Sequence, residues 1–185
     1  RIGLGLGSSE RPHNPGTTVL VVAYNHAPYV IETLESIRQQ TVPPVRVLIA
    51  DDASPGDDTA QVIRRWLADA PSSFEFHPNA INIGLNPTLN RLLSQVDTEF
   101  VTYIAGDDTM REDRIAIHED LLRAAPDDVV LAYSDAVVID ENSSVLHPSS
   151  RVEFPWPDEP RRSEDTLACL IGSNWIPAAS FSMRT

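Results

Sequence analysis

Short runs of consecutive apolar residues alternate, up to about residue 125, with segments in which apolar residues recur every three or four positions. Continuous apolar runs are typical of strands buried on both faces, and the longer spacing is typical of amphipathic helices. The pattern predicts strands at 19–23, 45–50, 74–76 and 99–104, and helices that begin at Pro28 and lie at about 57–68, 89–96 and 115–122. Strands that alternate with helices predict an α/β fold with a parallel sheet and right-handed crossovers.

The pattern changes after Pro126. Apolar runs at 129–133 and 136–140 follow each other closely, and a polar turn at 141–144 separates the second run from apolar residues 145–146. Two short apolar segments joined by such a turn predict a β-hairpin.

Three further segments are predicted from local composition. Residues 148–160 contain four prolines, too many for a regular element, and predict an extended loop beside the site. A last short helix is predicted at 163–171. Residues 1–16 carry glycines spaced as in a dinucleotide-binding turn, but a strand follows them instead of preceding them. We therefore predict a flexible leader at 1–16 and one domain at 17–185.

The charge of the chain narrows the ligand classes. It carries 14 basic and 27 acidic residues, a net charge of −13, and no basic cluster, which excludes nucleic acid as an expected partner. The same repulsion acts on an anionic nucleotide. Nucleotide binding would therefore require a divalent cation held by carboxylates.

Composition also predicts a compartment. The chain has no apolar run of about 18–20 residues and no signal-peptide pattern at its start, and its single cysteine, Cys169, suits a reducing environment. We expect a cytoplasmic protein without a transmembrane segment, which leaves peripheral membrane contact open. Because the chain lacks an initial methionine and stops at Thr185 after an apolar stretch, we expect it to be a piece of a longer protein.

Two acidic doublets, Asp51–Asp52 and Asp107–Asp108, directly follow two predicted strands. The carboxyl ends of parallel strands meet at one edge of a sheet, where open α/β sheets bind ligands. We therefore expect the doublets to form a nucleotide and metal site. Hard oxygen ligands suit Mg²⁺ or Mn²⁺, which take only one or two carboxylates. Asp51 and Asp52 taken alone could equally cap the following loop and helix.

Four segments in this order resemble the family 2 glycosyltransferases with the GT-A fold. They contain VVAYN at 21–25, IADDAS at 49–54, NIG at 82–84 and YIAGDD at 103–108. The likeness covers 17–185 and implies a Rossmann-like three-layer domain with a mostly parallel sheet. It further implies a nucleotide-sugar-binding part at 17–110 and an incomplete acceptor-side part at 111–185.

The resemblance also implies roles for individual residues. Asp52 would accept the imide N–H of a uracil-like base, with Asp51 beside it, because a carboxylate is an acceptor only. Asp108 would bind the metal, with Asp107 on the ribose or in the metal's shell. The commoner family pattern has a further aspartate at the position of Ala105, so fewer carboxylates remain here. The other implied nucleotide contacts are Tyr24, Asn25, Asn82, Gly84 and Asn90.

The activity implied is metal-dependent transfer of a hexosyl-type sugar from a nucleotide-diphosphate donor, UDP-linked, to a glycan, lipid or peptide acceptor with inversion. Inversion needs an Asp or Glu base. The pair Glu164–Asp165 follows Ser163 at a predicted helix start and comes too soon after Asp108 for the family spacing. We expect the base after Thr185.

Other interpretations stay open or are disfavoured. A sugar-nucleotide nucleotidyltransferase would need glycine and a basic residue where Tyr24, Asn25 and His26 stand. A phosphoacceptor domain would need a lysine, and the chain has none. A non-catalytic nucleotide-sugar-binding relative stays open, since no base is identified.

Five side chains are ambiguous in the sequence. Trp156 and Trp175 could stack on an acceptor sugar or pack in the core. Arg91 could face a phosphate, although a solvated helix position is the expectation. His118 and His147 have no partner pattern and are expected at the surface.

Overall fold

The structure, a computed structural model, describes residues 14–156 and 176–185. The strands within these ranges are β1 Asn14–Ala23, β2 Arg46–Asp51, β3 Phe74–Phe76, β4 Thr98–Ala105, β5 Leu131–Tyr133, β6 Val138–Ile139, β7 Val145–His147 and β8 Phe181–Arg184. The α-helices are α1 Val30–Arg38, α2 Thr59–Leu67, α3 Leu85–Leu93 and α4 Arg114–Ala124. None of these helices is long and apolar enough to cross a membrane.

A six-stranded sheet in the order β3-β2-β1-β4-β8-β5 forms the centre of the fold. Its first four strands are parallel, whereas β8 is antiparallel to both β4 and β5. Strands β6 and β7 pair separately as an antiparallel hairpin. The predicted α/β class, the mostly parallel sheet and the hairpin after the second doublet are all confirmed.

Helices cover both faces of the sheet, because side chains alternate between the faces along each strand. Val19, Val21 and Ala23 of β1 pack with α1, α2 and α4 on one face. Leu20 and Val22 pack with α3 on the other. The result is the expected three-layer arrangement, and Val22 marks the face on which α3 lies.

Strand β8 is not predicted by the sequence pattern, although it lies between β4 and β5. The strand has only four residues of mixed polarity, so its sequence shows no strand pattern. Antiparallel pairing with two distant strands defines it. Strand β1 also starts at Asn14, ahead of the predicted leader boundary, because the backbone N–H of Asn14 donates to Asp97 O at 2.9 Å. Residues 1–13 and the predicted helix at 163–171 lie outside the described residues.

His118 is buried, so the prediction of a surface position is wrong. Its side chain is 2% exposed, and Nδ1 lies 2.8 Å from Ser182 Oγ of β8. Burial, with help from the Arg114 charge, lowers the pKa of His118 to about 4. One turn earlier on α4, the Arg114 guanidinium donates to Thr102 Oγ1 and to Phe181 O at 2.8 and 2.9 Å. Polar contacts thus fasten α4 to β4 and β8.

Candidate functional site

The two acidic doublets leave the sheet on either side of the carboxyl end of β1. The backbone N–H of Asp52 donates to Ala23 O, and the N–H of Gly106 donates to Val22 O, both at 2.9 Å. Neighbouring strands lie about 4.8 Å apart, so β2 and β4, on opposite sides of β1, end roughly 10 Å apart. The structure therefore places both doublets at one edge of the sheet, as the sequence predicts.

A cavity of about 320 Å³ opens at this edge. Four of the predicted site residues line it, namely Tyr24, Asp52, Asn82 and Gly84. Tyr24 is 42% exposed at the end of β1, so its ring is available to a ligand. The cavity thus joins the ends of β1 and β2 to the start of α3.

Five further residues line the cavity without having been predicted for it. Val22, Tyr103 and Ala105 come from the sheet face that α3 covers, and Leu85 is the first residue of α3. His26 lies in the loop between β1 and α1. The strand-end rule points to the loop that holds His26, but a single histidine carries no motif of its own.

Asp52 organises the wall of the cavity. Its Oδ1 accepts hydrogen bonds from Asn79 Nδ2 at 2.6 Å, from the Ile83 N–H at 3.0 Å and from Thr88 Oγ1 at 3.2 Å. Its Oδ2 accepts the Gly84 N–H at 2.8 Å. Burial raises the pKa of Asp52, but the four hydrogen bonds outweigh it and hold that pKa below its usual range. Since Oδ2 accepts one bond only, it retains room for a donor from a ligand.

Gly84 occupies a backbone conformation that is open to glycine alone. Its φ of 88° and ψ of 162° lie in a region that a Cβ atom makes unfavourable. This conformation turns the chain into α3 and directs the Gly84 N–H at Asp52. The NIG segment thus supplies two backbone N–H donors to Asp52 in the wall of the cavity.

Replacing Gly84 by alanine is expected to lower the free energy of unfolding by about 1–3 kcal/mol, the usual cost of a strained backbone conformation. Urea unfolding measures the change. The matched control is Asn86→Ala at an exposed position of α3, which should stay within about 0.5 kcal/mol of wild type. Equal stability of Gly84→Ala and wild type would contradict the assigned strain.

Three other predicted nucleotide contacts lie elsewhere. Asp51 is buried and accepts from the Ser54 N–H at 3.2 Å and from the Ser54 hydroxyl, as in the capping interpretation. Asn25 has a left-handed φ of 58°, and its Oδ1 accepts the Gly56 N–H at 3.1 Å. Both side chains build the loop after β2. Asn90 is exposed on α3, outside the cavity lining.

The second doublet lies next to the cavity. Asp107 is 45% exposed, and its Oδ1 is 3.6 Å from His26 Nδ1. Asp108 is half-buried, and burial followed by the Asp107 charge raises its pKa, against the opposing charges of His26 and Arg114. Burial and the charges of Asp108 and Asp107 raise the pKa of Tyr103 to about 12. His26 and Tyr103 thus line the cavity and also interact electrostatically with the second doublet.

The doublet offers oxygen ligands to a cation. Burial and then repulsion by the Asp107 carboxylate raise the pKa of Asp108, and a bound divalent ion would offset that repulsion. Within the described ranges, no three His, Cys, Asp or Glu side chains are grouped as a metal cage. Such a site suits an ion that takes one or two carboxylates and fills its other positions with phosphate and water.

The ambiguous side chains are partly resolved. The Trp156 ring packs in a T-shaped contact with Tyr133 at 5.1 Å, and the Arg151 guanidinium covers one face of the Trp156 ring at 3.7 Å from its centroid. Arg91 donates to His77 O at 2.5 Å and is therefore engaged with the backbone. His147 is half-exposed on β7. Trp175, Glu164 and Asp165 lie outside the described residues.

Comparison with known protein families agrees with this geometry. Residues 18–180 match the model of the family described as Glycosyl transferase family 2. The chain belongs to this family. The match includes both doublets, the NIG segment and strand β1 from its fifth residue onward. The resemblance inferred from four short segments is therefore confirmed.

Individual curated proteins and solved structures are also similar to this chain. The putative glycosyltransferase EpsH of Bacillus subtilis is 30% identical over 118 residues, 63% of this chain and 32% of EpsH. The mannosyltransferase PcManGT of Pyrobaculum calidifontis, in complex with GDP-Man and Mn²⁺, superposes with a TM-score of 0.63 at 22% identity, over 93% of this chain and 45% of that one. TarS 1–349 of S. aureus, in complex with UDP, gives 0.54 at 20% identity, over 89% and 57%.

The two structural neighbours establish the GT-A fold for this family 2 chain. The chain spans about a quarter to a third of the length of the curated relatives it matches. The activity of the whole protein is therefore a matter for proposal.

Proposed function

We propose that this family 2 chain binds a nucleotide-diphosphate sugar, with uracil as the base, and that the whole protein transfers the sugar to a glycan, lipid or peptide acceptor with inversion. One observation carries the proposal. Asp52 and Asp108 follow the two strands that flank β1. One cavity extends from Asp52 to His26, which lies beside the second doublet. A base held at one end and a diphosphate at the other would span this arrangement.

The base is proposed to bind beside Asp52. The free acceptor position on Oδ2 selects a base edge that presents an N–H, as uracil does. The exposed ring of Tyr24 offers a stacking surface, and Val22 and Ala105 leave a small apolar floor. TarS, which shares the fold, is known in complex with UDP.

The diphosphate is proposed to bind at Asp107 and Asp108 together with Mg²⁺ or Mn²⁺. Such an ion would stabilise the negative charge that grows on the leaving nucleoside diphosphate. The donor chemistry of two carboxylates fits it, and PcManGT is known with GDP-Man and Mn²⁺. The net charge of −13 adds a reason, because an anionic donor needs a compensating cation in this chain. The catalytic base after Thr185 and the cytoplasmic location stay predictions.

A thermal-shift experiment tests the donor proposal. UDP with Mn²⁺ at about 100 times its dissociation constant should stabilise the fold by about 2.7 kcal/mol, which corresponds to roughly 5–10 °C for a domain of this size. EDTA should remove most of the shift. The matched control is CDP, because cytosine carries an acceptor where uracil carries the imide N–H. Equal shifts with UDP and CDP, or no shift with either, would contradict the proposal, and a shift with GDP alone would reassign the base.

A further inference from the structure

His26 is the cavity residue whose chemistry the proposed function leaves unused. Its ring lines the cavity, and its Nδ1 is buried without a hydrogen-bond partner. The separation of 3.6 Å from Asp107 Oδ1 is too long for a hydrogen bond. Nδ1 is nevertheless turned toward Asp107, and Nε2 is the ring nitrogen that remains for a ligand.

The position of His26 is fixed from several sides. Its backbone N–H donates to Thr59 Oγ1 at 2.9 Å, and the next N–H, that of Ala27, donates to Asp57 Oδ2 at 2.9 Å. Its carbonyl oxygen accepts the Val30 N–H at 2.9 Å, at the start of α1. The loop is therefore held by α1 and by the start of α2, so that the backbone that carries the ring is fixed beside the cavity.

The turn that carries the second doublet lies close to the His26 ring. A Cβ atom on Gly106 would lie 3.0 Å from His26 Nδ1 and 2.8 Å from Ala23 Cβ, closer than such atoms normally approach. Glycine directly before Asp107 thus lets the ends of β1 and β4 close on each other. His26 thus lines the cavity and also lies against the turn that carries the doublet.

The charge of the cavity makes His26 distinctive. The chain contains no lysine, and arginine is absent from the described residues that line the cavity. His26 is therefore the basic side chain of that lining. The side chain is 22% exposed. Nδ1 is buried without a hydrogen-bond partner, and Nε2 is not. An imidazole N–H can thus reach a ligand as a hydrogen-bond donor.

We propose that His26 binds the nucleotide sugar: its imidazole donates a hydrogen bond to the diphosphate, beside the cation at Asp107 and Asp108. This inference rests on the proposed function and adds a protein ligand for the phosphates to it. The bond supplements the cation, because the two carboxylates offset most of the charge of a divalent metal and leave little of it to compensate the diphosphate.

The test compares UDP with uridine, which shares the base and ribose but lacks the phosphates. With Mn²⁺ present, His26→Ala should weaken UDP binding roughly 10- to 100-fold, as expected for a lost hydrogen bond to a charged group. Uridine binding should stay within about twofold of wild type, since the lost bond is made to phosphate. His26→Gln, which keeps an N–H donor, should recover part of the UDP affinity. The control is His147→Ala on β7, which should leave both affinities unchanged. Titration calorimetry measures UDP, and ligand-observed NMR measures uridine.

Other outcomes would overturn the inference in distinguishable ways. Equal weakening of UDP and uridine would show that His26 only shapes the cavity. Weaker binding of Mn²⁺ alone to His26→Ala would make the histidine a metal ligand. Unchanged UDP affinity would exclude the contact. If wild type binds GDP instead of UDP, the same comparison is made with GDP and guanosine; if it binds neither nucleotide, the proposed function fails along with the inference.

Discussion

Replacing Asp108 by asparagine is expected to remove the Mn²⁺-dependent part of UDP binding. Asp108 is the half-buried member of the second doublet, and asparagine keeps its shape while losing the charge that holds a cation. Loss of a metal's supporting groups costs about 10- to 100-fold in affinity, and loss of a ligand should cost at least as much. Calorimetric titration of UDP with Mn²⁺ and with EDTA measures the effect.

The same substitution should leave the metal-free protein at least as stable as wild type. The folded-state pKa of Asp108 is raised, so its ionised form destabilises the metal-free fold at neutral pH. Asparagine removes this cost, and urea unfolding at pH 7 in EDTA should show an equal or higher free energy of unfolding. The matched control is Asp128→Asn in the exposed doublet Asp127–Asp128, which should alter neither quantity. Loss of stability together with affinity would indicate a structural role for Asp108.

Replacing Asp52 by alanine is expected to have the largest effect on stability. Four donors, from Asn79, Ile83, Gly84 and Thr88, converge on this carboxylate, and the side chain is only 3% exposed. A buried donor left without an acceptor costs about 1–3 kcal/mol, so we expect a total loss of about 3 kcal/mol or more. Urea unfolding at pH 7 measures the loss. Asp58→Ala is the control, because Asp58 is exposed and makes no side-chain cap at α2.

The difference between wild type and Asp52→Ala should depend on pH in a defined direction. The folded-state pKa of Asp52 is lowered, so its contribution is complete above the ordinary pKa of aspartate and is lost as the pH falls through the folded-state value. The two proteins should therefore approach each other in stability only below about pH 4. A difference that is constant from pH 7 to pH 3 would contradict the role of the ionised carboxylate.

The order of strands and helices could be predicted as far as α4 because each is marked locally, by an apolar run or by helical spacing. Strand β8 could not, since Phe181–Arg184 becomes a strand only through pairing with β4 and β5. The error at His118 has the same origin, because its partner Ser182 belongs to β8. Elements defined by distant pairing leave little trace in their own sequence.

Strand ends predict where the site lies, and the family resemblance selects four of the residues that line its cavity, but the pattern of residues alone does not separate Asp51 from Asp52. Asp51 and Asp52 are adjacent and chemically identical. Asp51 accepts a hydrogen bond from Ser54 in its own loop, whereas Asp52 accepts one from Asn79, which follows β3. Which side chain faces the cavity depends on how the strand ends and on donors about 30 residues away in the chain. His26 was missed because it stands alone, although it directly follows the YN pair at the end of β1.

We propose that the ends of β2 and β4 hold opposite ends of one nucleotide-diphosphate donor. A crystal structure of the protein with UDP and Mn²⁺, with the metal located by its anomalous scattering, shows whether they do. We predict a single manganese peak bound by Asp108 and by phosphate oxygens, with the uracil N–H donating to Asp52 Oδ2 across the cavity. A manganese ion or a uracil ring bound away from these two carboxylates would show that the two strand ends do not share one donor.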